Sequence, residues 1–311
     1  MERIEYNGWP ECIRLSNAKI DLVITTVVGP RIIRVGFVGE RNEFWEKPED
    51  QGQQGGDEWR IYGGHRLWHS PEAMPRSYYP DNGPVHVDPL SGGVRLIQST
   101  EPTTGIRKEM DVRLSPKEAY VRVTHRLRND GLWPVDLAAW GLSVMAPGGR
   151  AVIPMPTRSH PDGLLPNRTL TLWPYADMTD PRVTWGSKYI LLRHSANAES
   201  AFKLGASVKD GWAAYVRDDV CFLKAFDYFE DALYPDGGCS VETYTNSDPN
   251  MLELETLSPL ETLEPGEELE HTEHWFLHKG VSPSAGEAWV TEQIAPLAEQ
   301  AWGAGPDWPN V

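Results

Sequence analysis

Short β-rich runs recur along almost the whole chain, each bounded by a turn cluster, and this punctuation limits the fold more than any other feature. Residues 20–27 (IDLVITTV) and 31–38 (RIIRVGFV) flank the turn signal Gly29-Pro30. Residues 93–99, 106–114 and 119–127 follow. The last two alternate apolar with polar residues around Ser115-Pro116, which predicts a hairpin with one wet face. Further strands are expected at 135–145, 150–154, 170–174, 189–193, 211–217, 220–226, 240–245, 251–257 and 268–277. Turns at Asn129-Asp130-Gly131, Pro147-Gly148-Gly149, Pro235-Asp236-Gly237-Gly238 and Pro265-Gly266 separate them. Many short strands at fairly even spacing predict an all-β sandwich.

One segment has helical spacing. In 283–302, Val290, Ile294, Leu297 and Ala301 recur on one face, and Pro296 is expected to kink or split the helix. It is expected to pack outside the sandwich. Residues 48–60 and 70–89 read as long structured loops. No internal repeat or linker divides the 311 residues, so 1–311 is expected to form one domain.

A net charge of −16 and the absence of a basic block argue against nucleic acid and against an anionic membrane surface. The first residues lack an apolar core of the secretory kind, and no apolar run reaches the ~18 residues needed to span a bilayer. Cys12, Cys221 and Cys239 are odd in number and widely spaced, which favours reduced thiols and a cytoplasmic setting. Thirteen tryptophans and eleven tyrosines supply rings with a polar handle, which suits the C–H patches of a sugar as well as a core.

Three stretches could carry chemistry. Residues 61–84 concentrate His65, Arg66, Trp68, His69, Arg76, Tyr78, Tyr79, Asp81 and Asn82. If 65–69 is extended, His65, Leu67 and His69 share one face while Arg66 and Trp68 take the other. Along 251–257, Glu253 and Glu255 share a face opposite Leu252 and Leu254, and Glu242 and Tyr244 stand similarly on 240–245. Carboxylates lining a sheet bind hydroxyls through charge-assisted hydrogen bonds, and one with a raised pKa can serve as a general base. In 271–275, His271 and His274 lie on opposite faces, so only one can face a cleft, and His274 is the candidate. The spacing of His65, His69 and Glu72 would suit a metal only on a helix, which Gly63-Gly64 and Pro71 oppose. No metal or other cofactor is expected.

VITTVVGPRIIRVGFVGERNEFWE resembles the opening hairpin of the galactose mutarotase (aldose 1-epimerase) superfamily, and LELETLSPLETLEPGEELEHTEHWFL resembles its closing strands. With YGGHRLWHSPE and YYPDNGP between them, the chain is similar in order to a bacterial branch of that superfamily. The resemblance implies a β-supersandwich with a sugar cleft on a concave sheet. It also implies a glutamate base at Glu255, with Glu253 as the alternative in a register two residues away. The superfamily's acid histidine sits in a central strand, and Trp140 occupies the matching place in WPVDLAAWGLSV. His65 or His69 stands for a second, early histidine and could take over acid duty.

Three readings follow. The first is an epimerase-like isomerase with Glu255 as base and His65 or His69 as acid. The second is a sugar-binding or sensing module with Trp68, Tyr79 and Trp140 as platforms. The third is a hydrolase or lyase for a sugar acid held by Arg66 and Arg76.

Overall fold

The computed structural model describes residues 1–157, 163–248 and 250–303. Runs rich in Val, Ile, Leu and aromatic residues between Gly- and Pro-bearing turns become strands, because a pleated surface accepts stiff, branched side chains. In chain order these are β1 (Glu2–Tyr6), β2 (Trp9–Ser16), β3 (Ile20–Thr25), β4 (Arg31–Phe37), β5 (Gly64–Ser70), β6 (His86–Leu90) and β7 (Gly93–Ile97). Next come β8 (Ile106–Leu114), β9 (Tyr120–Asn129), β10 (Val135–Met145), β11 (Arg150–Pro154), β12 (Leu170–Leu172), β13 (Val183–Trp185) and β14 (Tyr189–Arg193). The last are β15 (Phe202–Ala206), β16 (Trp212–Arg217), β17 (Val220–Phe226), β18 (Val241–Ser247), β19 (Asn250–Leu257), β20 (Glu261–Leu263) and β21 (Glu268–Lys279).

They form two sheets. The first runs β1-β2-β3-β4-β5-β10-β19-β18-β15-β12, with β20 pairing with β10 off that path. The second runs β13-β14-β11-β16-β17-β21-β9-β8-β7-β6. Leu67, Leu137, Ala139, Leu252 and Leu254 of the first meet Ile153, Phe222, Trp275 and Leu277 of the second in one buried layer. The expected sandwich is therefore present, and the expected strands fall within a few residues of the observed ones.

Several short or polar strands escape the sequence pattern: β1, β2, β5, β6, β13, β15 and β20. β6 occupies the end of the loop expected at 70–89. Its Pro89 is tolerated because β6 is the last strand of its sheet, where one row of N–H groups has no partner to serve.

The C-terminal helix packs on the outer face of the second sheet, as expected. Val290, Ile294 and Ala298 seat against Val152, Leu191, Trp212, Ala214 and Leu223. It starts later than 283, since residues 283–287 are non-helical. Pro296 does not split it. A π-helical turn, Val290–Ile294, stands immediately before the α-helical segment Ala295–Gly303, and this local widening of a continuous helix accommodates Pro296, whose ring and missing N–H interrupt the ordinary i→i−4 ladder.

Candidate functional site

Five strands of the first sheet place the site through their two-residue alternation. β5 sends Arg66 and Trp68 to the outer face, β10 sends Trp140 and Leu142, and β19 sends Met251 and Glu253. Tyr244 from β18 and Lys203 from β15 join them, with Trp59, Tyr78, Trp173 and Tyr175 from loops. Together they line a cavity of about 810 Å³. That volume accommodates a small saccharide.

Lys203 is the pivot. Its Nζ lies 2.8 Å from Glu242 Oε2 and 3.4 Å from Glu255 Oε2. It also lies over two indoles, 4.6 Å from the Trp140 ring centre and 4.4 Å from that of Trp173. Glu242 and Glu255 are directly opposed residues of β18 and β19. Both are fully buried, and Trp140 Nε1 donates to Glu255 Oε2 at 2.9 Å. Glu255 Oε1 has no hydrogen-bond partner.

The charges explain the titration. Burial raises the Glu255 pKa from 4.5 to about 7, against the pull of Lys203. Burial likewise drives Glu242 well above its usual range, with Lys203 opposing and Glu255 adding to the rise. Burial works against the Lys203 ammonium, yet Glu255 and Glu242 outweigh it and hold its pKa above the ordinary lysine value. Lys203 is thus a fixed hydrogen-bond donor, not a nucleophilic amine, at neutral pH. Glu242 and Glu255 are both raised, and they lie behind Lys203 and Trp140 rather than on the cavity lining itself.

Arg66 builds the opposite wall. Its Nη2 donates to Glu253 Oε1 at 2.8 Å, and its guanidinium lies 4.7 Å from the Trp68 ring centre and 5.9 Å from that of Trp59. Trp59, Trp68, Tyr78 and Trp140 make successive edge-to-face contacts, which fix the rings as a rigid rim.

The structure thus gathers Arg66, Trp68, Trp140, Glu242, Glu253 and Glu255, and leaves the other candidates elsewhere. The largest correction concerns the histidines. The face reading of 65–69 holds, and for that reason His65 and His69 point inward with Leu67, across the sheet from Glu255. His65 is fully buried, with Nδ1 2.9 Å from Ser143 Oγ and Nε2 2.7 Å from His125 Nε2. His69 is buried 3.7 Å from Glu101 Oε2. Neither can act as an acid opposite Glu255, and no histidine among the described residues lines the cavity.

Other candidates serve the scaffold. Asp81 pairs with buried Arg31 at 2.7 Å, and Asn82 joins Tyr62 to the carbonyls of Gly56 and Glu58. Arg76 donates to the Pro71 carbonyl, and Tyr79 lines a separate hollow beside Asn82. His274 belongs to the second sheet, where its Nδ1 lies 2.6 Å from Tyr120 Oη. Glu72 accepts from Tyr78 at the cavity rim, so His65, His69 and Glu72 do not converge.

Lys203 and Trp173 were missed from sequence. The available signal was a lone lysine inside the apolar run AFKLGA, a strand too short to stand out.

No family model matches the chain, and none of the curated proteins does. Solved structures match its fold. A candidate aldose 1-epimerase from Klebsiella pneumoniae is 13% identical, with 98% of this chain and 87% of that one covered and a TM-score of 0.59. A galactose mutarotase related enzyme from Lactobacillus acidophilus is 11% identical, with 86% and 98% covered and a TM-score of 0.53. A galactose mutarotase-like protein from Lactobacillus casei is 10% identical, with 86% and 100% covered and a TM-score of 0.53. The chain has the galactose mutarotase-like fold.

Proposed function

We propose that the protein binds a saccharide in the cavity of the first sheet, its C–H faces against the indoles and its oxygens accepting from Lys203. One observation carries this reading. Lys203 is held charged at the wall by Glu242 and Glu255 and stacked between Trp140 and Trp173. That arrangement pairs an apolar platform with a fixed donor, which a polyhydroxylated ring needs. Titration calorimetry against neutral hexoses, hexuronates and hexose phosphates tests it. At least one class should bind saturably, and Lys203→Met should weaken that binding about tenfold or more, equivalent to ~1.4 kcal/mol. Absence of saturable binding by every class would overturn the reading.

A second reading, an aldose 1-epimerase-like reaction, is favoured by the neutral-range carboxyl of Glu255. Glu255 would take the anomeric hydroxyl proton while Lys203 protonates the ring oxygen. The ring C–O bond would break to give the open-chain aldehyde, and reclosure on the other face would return both protons. The raised pKa makes Lys203 a weak acid for that step, so binding is the reading the geometry supports best. Anomer exchange followed by NMR separates the two. The enzyme reading requires turnover in the wild type and its loss in Glu255→Gln with binding retained.

A further inference from the structure

We propose that His65, His125 and Glu273 form a buried site for a divalent transition metal of the zinc class, between the two sheets. Their ligand atoms all lie within 4.8 Å of one another, and all three side chains are fully buried. His125 Nδ1 is 3.0 Å from the His271 carbonyl, which can only accept, so Nδ1 carries the proton and Nε2 presents its lone pair. Ser143 Oγ, 2.9 Å from His65 Nδ1, can likewise leave the His65 Nε2 lone pair free. Such outer hydrogen bonds orient metal-binding imidazoles.

Glu273 completes the set. Its Oε2 accepts from Trp275 Nε1 at 2.6 Å and lies 3.8 Å from His65 Nε2, while Oε1 is held by Lys224 at 2.8 Å. Two imidazoles and a carboxylate are a zinc-type donor set. The separations of 2.7 Å between the Nε2 atoms and 3.8 Å to the carboxylate bracket the ~3.3 Å edge of a tetrahedron around zinc. A Cβ on Gly141 would stand 2.7 Å from Glu273 Oε1 and 3.4 Å from His125 Cε1, so glycine lets β10 close over the cluster. Lys224 places a competing positive charge on Glu273 Oε1, so Oε2 is the oxygen left to face the imidazoles.

The rival occupant is a proton shared in a hydrogen bond between the two rings. Elemental analysis of the purified, untagged protein decides between them. The metal reading expects about one equivalent of zinc-class ion per chain, resistant to chelator while the protein is folded and released on unfolding. Glu273→Gln should lower that content. Because this variant could misfold, protein grown in cobalt-supplemented medium gives an independent readout, visible d–d absorption in the wild type. Folded wild-type protein with less than roughly a tenth of an equivalent, and no cobalt bands, overturns the proposal.

Discussion

Two lysine–glutamate pairs stand on opposite sides of the first sheet, and their carboxylates are driven in opposite directions. On the outer side, Glu255 shares Lys203 with Glu242, and burial raises it to about 7. On the inner side, burial would also raise Glu273, but Lys224 and the neighbouring imidazoles outweigh it and hold the carboxyl far below its usual range. Thr256 Oγ1 at 2.5 Å and Trp275 Nε1 at 2.6 Å supply two further donors. The contrast teaches that a buried lysine alone does not decide the outcome. The number of donors per carboxylate does: one cation for two carboxylates leaves a proton to exchange, whereas several donors for one carboxylate fix the charge.

The largest expected effect breaks the inner pair. Glu273→Ala leaves Lys224 buried without its counter-charge and should cost about 3–5 kcal/mol in urea denaturation. A loss of the size seen at surface sites would show that the inner pair is not what holds the sheets together. Next, Lys203→Met leaves Glu242 and Glu255 facing each other with no cation between them. It should cost roughly 1–3 kcal/mol near pH 8, and less near pH 5, where the carboxyls can take up protons. A loss independent of pH would break the comparison.

The pH dependence sharpens it further. Glu255 is raised on folding, so its contribution is full below 4.5 and declines as pH climbs towards about 7. The inner side has the opposite sign. His271, lowered by burial from 6.5 to about 3, contributes stability above 6.5 that is lost as pH falls. Glu273, lowered from 4.5, behaves likewise further into acid. Stability measured from pH 4.5 to 7 should therefore fall more steeply towards acid in Glu255→Gln than in the wild type, because the opposing slope is gone. Superimposable profiles would show that Glu255 is not shifted. The smallest effect is Arg66→Lys, which keeps the charge but loses the planar stacking on Trp68 and Trp59. It should weaken saccharide binding by about 1 kcal/mol.

Much of the fold was legible because strand and turn signals are local. The alternation of 252–256 and the opposed faces of 65–69 were readable for the same reason. What the sequence left open was which face of each strand meets the second sheet. His65 and Arg66 are equally polar neighbours, and only the seating of Leu67 in the core turns the histidine inward. Lys203 and Lys224 lay hidden inside apolar runs, since a buried lysine is recognisable only once its carboxylates, distant in sequence, are placed beside it. His125 and Glu273 escaped notice because their meeting with His65 depends on two sheets coming face to face.

The cross-strand opposition of Glu242 and Glu255 has a consequence for descent. Like charges set directly opposite on neighbouring strands repel, and here a single amine from a third strand reconciles them. Positions 203, 242 and 255 therefore form one heritable unit. A lineage that exchanges the lysine for a neutral residue must surrender an acid in step, so homologues should sort into those that keep the whole trio and those that have replaced it together.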